Sequence, residues 1–470
     1  MTLACCLEPA TEIRRRLWAR EFSALELVEA HLEVISRANP DVNAVVTLVA
    51  EQALESARLA DRVLDRGEPH GPLLGLPVAH KDFTETAGIR TTFGSPIFAG
   101  HVPDRDALIV ERLKRAGAIT MGKTNIPEWA AGSNCVNPVF GATRNPYDLR
   151  MTPGGSSGGA AAALACGMVA LADGSDLGGS LRNPASFCNV VGLRPSPGRV
   201  PTWPAELGWD PLATHGPMAR TVADVALMLS TIAGPDDRCP IALDEPGETF
   251  AGQLDSSVAG LRIAWSRNLG GLPIEPAVTE VIEAHRDVFS DLGCEVVDAE
   301  PDFTGAEEAF TVWRAWMFAA LLGRHLDAHR DQLGAHIIWN IEVGLALTGQ
   351  DLASAEQART RLYHRIRRFM DGYDFLLAPV AQVCPFPVAE AYPRSVAGVE
   401  MKTYLDWIKV CYYVSAVGLP CISVPSGFTE HGLPVGLQII GRRHDDLGVL
   451  RLAHAFERET EYWRRHPGVR

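Results

Sequence analysis

Met151-Thr152-Pro153-Gly154-Gly155-Ser156-Ser157-Gly158-Gly159-Ala160-Ala161-Ala162-Ala163-Leu164-Ala165, continued after an apolar stretch by Gly174-Ser175-Asp176-Leu177-Gly178-Gly179-Ser180-Leu181-Arg182-Asn183-Pro184, decides how this chain reads. Glycine and serine at this density can make a flexible linker. Two segments argue otherwise. Ala160 to Ala165 is a strong helix former, and Met168 to Ala172 reads as a buried strand. Glycines packed between regular elements mark tight turns or places where backbone must come close to a ligand. A further helix is expected over Ser180 to Asn189.

Upstream, Pro77-Val78-Ala79-His80-Lys81-Asp82-Phe83 reads as a short strand, and Ala118 to Met121 as another. Ser23 and Glu26 make a capping box that opens a helix expected to stop at Asn39-Pro40. A second helix is expected over Arg105 to Ala116, with Gly117 as its C′ residue. Helices are also expected over Gly305 to Leu322, Ser354 to Asp371 and Leu447 to Glu459. Strands are expected at Phe375 to Pro379, Cys421 to Pro425 and Leu437 to Ile440. Short apolar strands alternating with helices predict an α/β fold whose sheet is covered on both faces. No internal repeat or charged linker interrupts 470 residues, so one domain over 1–470 is expected, with a helical segment at about 10–40 and the glycine-rich core at about 65–200.

Composition narrows the function classes. With 47% hydrophobic and 21% charged residues the chain is neither disordered nor fibrous. Forty-three basic against 57 acidic side chains leave a net charge of −14, which disfavours nucleic acid and anionic membranes as general partners. No apolar run is long enough to span a bilayer, and Met1 to Pro9 lacks the features of a secretory leader, so a cytoplasmic location is expected. The ten cysteines form no CxxC pair and the fourteen histidines no HxH or HExxH, which gives no support for a metal site and favours reduced thiols.

Two short motifs mislead. Gly117 to Thr124 fits GxxxxGK[ST], but a phosphate-binding loop needs a strand before it and a helix after it, whereas here a helix precedes and Pro127 follows. Gly154 to Gly158 fits GxSxG, but that nucleophile elbow must follow a strand and be served by a downstream Asp and His; Arg144 to Pro153 is turn-rich, and no His stands in a comparably marked late loop, His431 and His444 being the candidates left open.

The glycine–serine stretch, its continuation to Pro184, and the upstream Val78-Ala79-His80-Lys81-Asp82 together resemble the amidase signature family. Lys81 precedes Ser156 by 75 residues and Ser156 precedes Ser180 by 24, spacings that suit the family. Supporting matches run from Gly122-Lys123-Thr124-Asn125 and Asn137 to Gly141 through Gly192 to Ser196, Gly418 to Pro425 and Gly432 to Gln438, so the likeness covers nearly the whole chain. It implies a central mixed β-sheet with helices on both faces. It also implies Ser180 as nucleophile, Ser156 as bridging serine with a cis bond to Gly155, and Lys81 as base. Leu177, Gly178 and Gly179 would supply oxyanion amides, Ala130 would line the acyl side, and no cofactor is implied. Asp176, Ser157 and Arg182 would organise the loop.

Chemistry explains the residue types. A serine hydroxyl attacks only when a base takes its proton, and a lysine serves as that base only if burial favours the neutral amine. Asp82, next in sequence, should face the other side of the strand, where it cannot hold Lys81 charged. The implied reaction is hydrolysis of small, aryl or hydrophobic amides to acid and amine, with esters and carbamates sharing the intermediate. Trp129, Phe140, Trp313, Trp316, Trp339 and Tyr412 stand where substrate walls are expected, though such residues more often pack cores. The family also includes glutaminase-type subunits of tRNA-dependent amidotransferases. Those carry Ser-Leu-Asp-Gln where this chain has Asp210-Pro211-Leu212-Ala213-Thr214-His215-Gly216. A small amide is thus the expected partner, with a homodimer left open.

Overall fold

A computed structural model describes residues 3–252 and 254–469; Met1 and Thr2 of the amino-terminal reading lie outside them. Eleven strands form one sheet. In chain order they are β1 (Val45–Leu48), β2 (Pro77–Lys81), β3 (Ile119–Thr124), β4 (Leu171–Asp176), β5 (Val191–Arg194), β6 (Thr214–Ala219), β7 (Arg262–Trp265), β8 (Glu295–Asp298), β9 (Phe375–Pro379), β10 (Cys421–Phe428) and β11 (Pro434–Gly441). Across the sheet the order is β1-β3-β2-β4-β6-β5-β10-β11-β9-β7-β8. β3, β2 and β4 run parallel, as do β9, β7 and β8, while the neighbours between them are antiparallel. The sheet is therefore mixed.

Alternation along the strands shows both faces buried. Phe375 and Leu377, Ile422 and Val424, and Leu437 and Ile439 join one apolar core; Leu376 and Ala378, Cys421 and Ile440 join a second. Successive side chains of a strand point to opposite faces, so helices must cover each side. The buried helix Gly158–Ala165 lies between the serine loop and β4. Glycine is required where this helix begins, because a Cβ on Gly159 would sit 2.3 Å from the Asn125 nitrogen.

Several expected boundaries move. The helix opened by the Ser23–Glu26 box runs Ala24–Val42, through Pro40, and ends on left-handed Asn43. Proline near a helix end forfeits little, and the Asn39 side chain satisfies the amides of Ala44 and Val45 beyond it. The helix expected from Arg105 starts at Leu108, since Asp106 is occupied by the Ala87 amide and by Lys114. The strand expected at Met168 to Ala172 begins at Leu171 and continues to Asp176. The helix expected over Ser180 to Asn189 is shortened to Arg182–Phe187. Gly117 to Thr124 contains β3 itself, which removes the loop a phosphate would need. Helices at Ala10–Trp18 and Ala50–Arg66 complete the amino-terminal layer.

Candidate active site

The carboxyl ends of the parallel strands β2 and β4 lie side by side, and such ends commonly present the reactive groups of α/β proteins. Lys81 closes β2, with no exposed surface. Its Nζ lies 2.7 Å from Ser156 Oγ and 2.9 Å from Ser175 Oγ. Removal from water pushes its pKa down to about 7, against the pull of Asp176 and Asp173. Asp173 is committed elsewhere: it accepts from the Lys81 amide and lies 2.5 Å from His80 Nδ1. Asp82 turns away, its carboxylate accepting from the Thr92 amide, as strand alternation requires.

Ser156 follows Gly155 through a cis peptide bond and opens the turn into the Gly158–Ala165 helix. The Ser157 amide donates to the Ser180 carbonyl at 3.2 Å, which ties the two halves of the glycine–serine stretch together. Ser133 Oγ buttresses the same turn through the Gly155 carbonyl and receives the Asn183 side chain. Ser156 and Ser180 line one cavity, and among the described residues no hydrogen bond joins their hydroxyls directly.

Asp176 shapes the loop after β4. Its carboxylate accepts from the Gly179 and Leu181 amides and from Arg182 Nε and Nη2. The Arg182 and Arg194 guanidinium groups beside it hold this buried carboxyl far below the usual range, overcoming the opposing effect of burial. Arg182 extends the tie to the Cys411 carbonyl, Ser415 Oγ and Gln438 Oε1. One expected oxyanion donor is thereby corrected: the Gly179 amide is already spent on Asp176. No hydrogen bond among the described residues uses the amides of Leu177, Gly178 or Ser180. A Cβ on Gly178 would lie 2.8 Å from Phe310 Cζ, so a side chain there would have to push that ring aside.

The cavity measures about 680 Å³ and is lined mainly by apolar side chains. Ala130, Leu177, Gly178, Ser156 and Ser180 all reach it, whereas Lys81 stands behind the serines. Trp129 and Ala130 both hold left-handed backbone, φ 51° and 54°, at its wall. Of the six aromatic residues considered from sequence, Trp129 alone lines it. Tyr412 is buried flat against Phe310, Trp313 meets Trp316 edge-on, Trp339 is 40% exposed, and Phe140 lies under Arg90 beside a separate shallow pocket. Sequence reasoning missed the rings that do face the cavity, including Phe83, Phe93, Phe98 and Phe318, and it missed Ser175. Phe310, Arg314, Met317 and Leu321 recur at helical spacing on Ala306–His329, a stripe that could have marked this wall.

Among the described residues no helix is long and apolar enough to cross a membrane, and no group of three or more His, Cys, Asp or Glu side chains could hold a metal ion. A family profile described as Amidase matches residues 26–450. The chain is 36% identical over 451 residues to an acylamidase of Rhodococcus erythropolis, covering 95% of this chain and 94% of that one. It is also 36% identical over 484 residues to a glutamyl-tRNA(Gln) amidotransferase subunit of Moorella thermoacetica, covering 97% and 98%. Among solved structures, a bacterial aryl acylamidase of the amidase signature family superposes with a TM-score of 0.91 at 30% identity over 97% of each chain. A 6-aminohexanoate cyclic dimer hydrolase in complex with substrate superposes with a TM-score of 0.90 at 25% identity over 99% of each chain. With its mixed sheet, its paired glycine–serine segments and these likenesses along its whole length, the chain belongs to the amidase signature family of amide-hydrolysing enzymes.

Proposed function

We propose that the protein hydrolyses carboxylic amides of aryl or otherwise hydrophobic character through a Ser180 acyl-enzyme, with Ser156 as proton bridge and Lys81 as base. The observation that carries this reading is the 2.7 Å contact between Ser156 Oγ and the amine of a lysine with no exposed surface, whose pKa falls to about 7. A neutral amine takes a proton from Ser156, which takes one from Ser180 as the latter attacks the carbonyl. Negative charge then develops on the carbonyl oxygen. The Leu177, Gly178 and Ser180 amides are the donors left to meet it, while Asp176 holds the loop rigid through Gly179. Collapse expels the amine, which leaves with the proton that Lys81 had taken. Water repeats the sequence on the ester to release the acid.

The aromatic lining favours aryl substrates: Phe93 stacks on Trp129 at 5.2 Å, with Phe98 edge-on to both rings. The acylamidase and aryl acylamidase likenesses support the same class. A second reading, an ammonia-producing member of an amidotransferase complex, draws support from the amidotransferase relatives. Labelling of purified protein by a fluorophosphonate, its loss in Ser180→Ala, and turnover of an anilide in preference to glutamine test the proposal. Glutaminase activity that appears only with co-purified partner chains would instead favour the second reading.

A further inference from the structure

Arg314 is a buried charge without a counter-ion among the described residues. It is 5% exposed, sits on the Ala306–His329 helix and lines the cavity. Its two side-chain hydrogen bonds go to neutral oxygens, Asn340 Oδ1 and Tyr404 Oη, and its guanidinium lies 4.4 Å above the Phe318 ring. Other buried arginines differ. Arg182 and Arg199 pair with Asp176 and Asp446. Arg220 gives three hydrogen bonds to the carbonyls of Leu164, Val169 and Glu8, leaves its Nε without a partner, and does not line the cavity. Nearby His336 is held neutral, pushed down to about 4 by burial and by the Arg314 charge. A buried guanidinium with three of its five donors unspent, facing a cavity, has donors free for an anion that enters it.

Its position sets the geometry of the missing half. Phe310, one helical turn earlier, touches the place where a Gly178 side chain would be, beside the oxyanion amides. The four residues from Phe310 to Arg314 advance roughly 6 Å along the helix. We propose that the cavity takes amides bearing a carboxylate about one helical turn from the scissile carbonyl, with Arg314 as the group that recognises it. This inference rests on the amide-hydrolysis reading above. It narrows the substrate class from hydrophobic amides to amphiphilic ones, whose aryl part meets Trp129 and Phe93 and whose acid meets Arg314. Tyr404 and Asn340 hold the guanidinium flat for a two-pronged contact.

The test compares matched anilides on the wild-type enzyme. One pair differs on the acyl side, a chain ending in carboxylate against its methyl ester; the other differs on the ring, para-carboxylate against para-carboxamide. In at least one pair the acid should be preferred in kcat/KM by about tenfold or more, carried by KM. Arg314→Met should bring that ratio close to one, and Arg314→Lys should restore part of it. Neutral partners turned over as well as or better than acids in both pairs would overturn the proposal, and so would an acid preference that survives in Arg314→Met. Should Arg314→Met not fold, the wild-type pairs still decide. Absence of both anilide turnover and fluorophosphonate labelling would be a different failure, that of the amide-hydrolysis reading, and would take this proposal with it.

Discussion

Lys81 and Lys123 stand on the neighbouring parallel strands β2 and β3, both without exposed surface, and burial lowers both, to about 7 and about 8. What differs is what each amine meets. Lys123 donates to the Thr84 carbonyl and to Thr86 Oγ1, 2.9 Å away in the latter case. A carbonyl can only accept, and the Thr86 hydroxyl gives its own hydrogen to that same Thr84 carbonyl, so neither partner hands a proton to Lys123. Lys81, beyond a long 3.4 Å contact with the Ser175 carbonyl, meets the hydroxyls of Ser156 and Ser175 at 2.7 and 2.9 Å, which can give as well as take. Burial alone makes a lysine uncomfortable; a neighbour able to hand over a proton makes it useful. The contrast is the physical core of the proposed relay.

The largest effect should come from removing the amines one at a time. Lys81→Met is expected to reduce amide turnover by roughly 10⁴-fold or more, as removal of one member of a nucleophilic relay does elsewhere. Lys123→Met is expected to retain fluorophosphonate labelling while losing about 1–3 kcal/mol of stability, because the Thr84 carbonyl and Thr86 hydroxyl lose their donor. Equal losses of turnover in the two variants would erase the comparison. Next in size is the pH profile. Only the neutral amine works, so below about pH 7 the rate should fall about tenfold per unit, with a plateau above. A profile flat to pH 5 would sink Lys81 as base.

Stability offers a subtler check. Both lysines have folded pKa values below the ordinary 10.5, so between the two values the unfolded chain binds more protons. Stability must therefore rise with pH, from about 7 upward for Lys81 and about 8 upward for Lys123, by up to about 1.4 kcal/mol per unit for each. Denaturant titrations across that range should flatten from pH 7 in Lys81→Met and only from pH 8 in Lys123→Met. The smallest effect is reserved for Ser175→Ala. Loss of its contact with Lys81 should lower kcat by roughly three- to tenfold and move the acid limb to lower pH, since an acceptor that favours the ammonium is gone. An unmoved limb would make Ser175 a bystander.

How much of this was legible in the sequence varied with the range of the forces involved. The β2 lysine strand, the helix after Ser157 and the loop after Asp176 were readable because glycine and alanine constrain the backbone locally. Pro40 misled because a proline near a helix end forfeits little, and Asn39 could satisfy the amides beyond it. Gly179 misled because a glycine amide looks free until the carboxylate that takes it is located in space. The cavity walls were least legible. Phe93, Phe98 and Phe318 come together only through the tertiary fold, whereas Tyr412, just as aromatic, turns into the core against Phe310. Arg314 showed nothing in sequence; its missing counter-ion exists only as a fact about its surroundings.

The knot at Asp176 has a last consequence. The loop before Ser180 keeps its shape by gripping Arg182, which in turn grips groups beyond residue 410, and β5 finds its sheet neighbour in β10. Shortening the gene to the glycine-rich third would therefore strand a hinge without its door frame. Minimal versions of this catalyst should be sought by trimming surface helices, never by keeping the signature and discarding the tail.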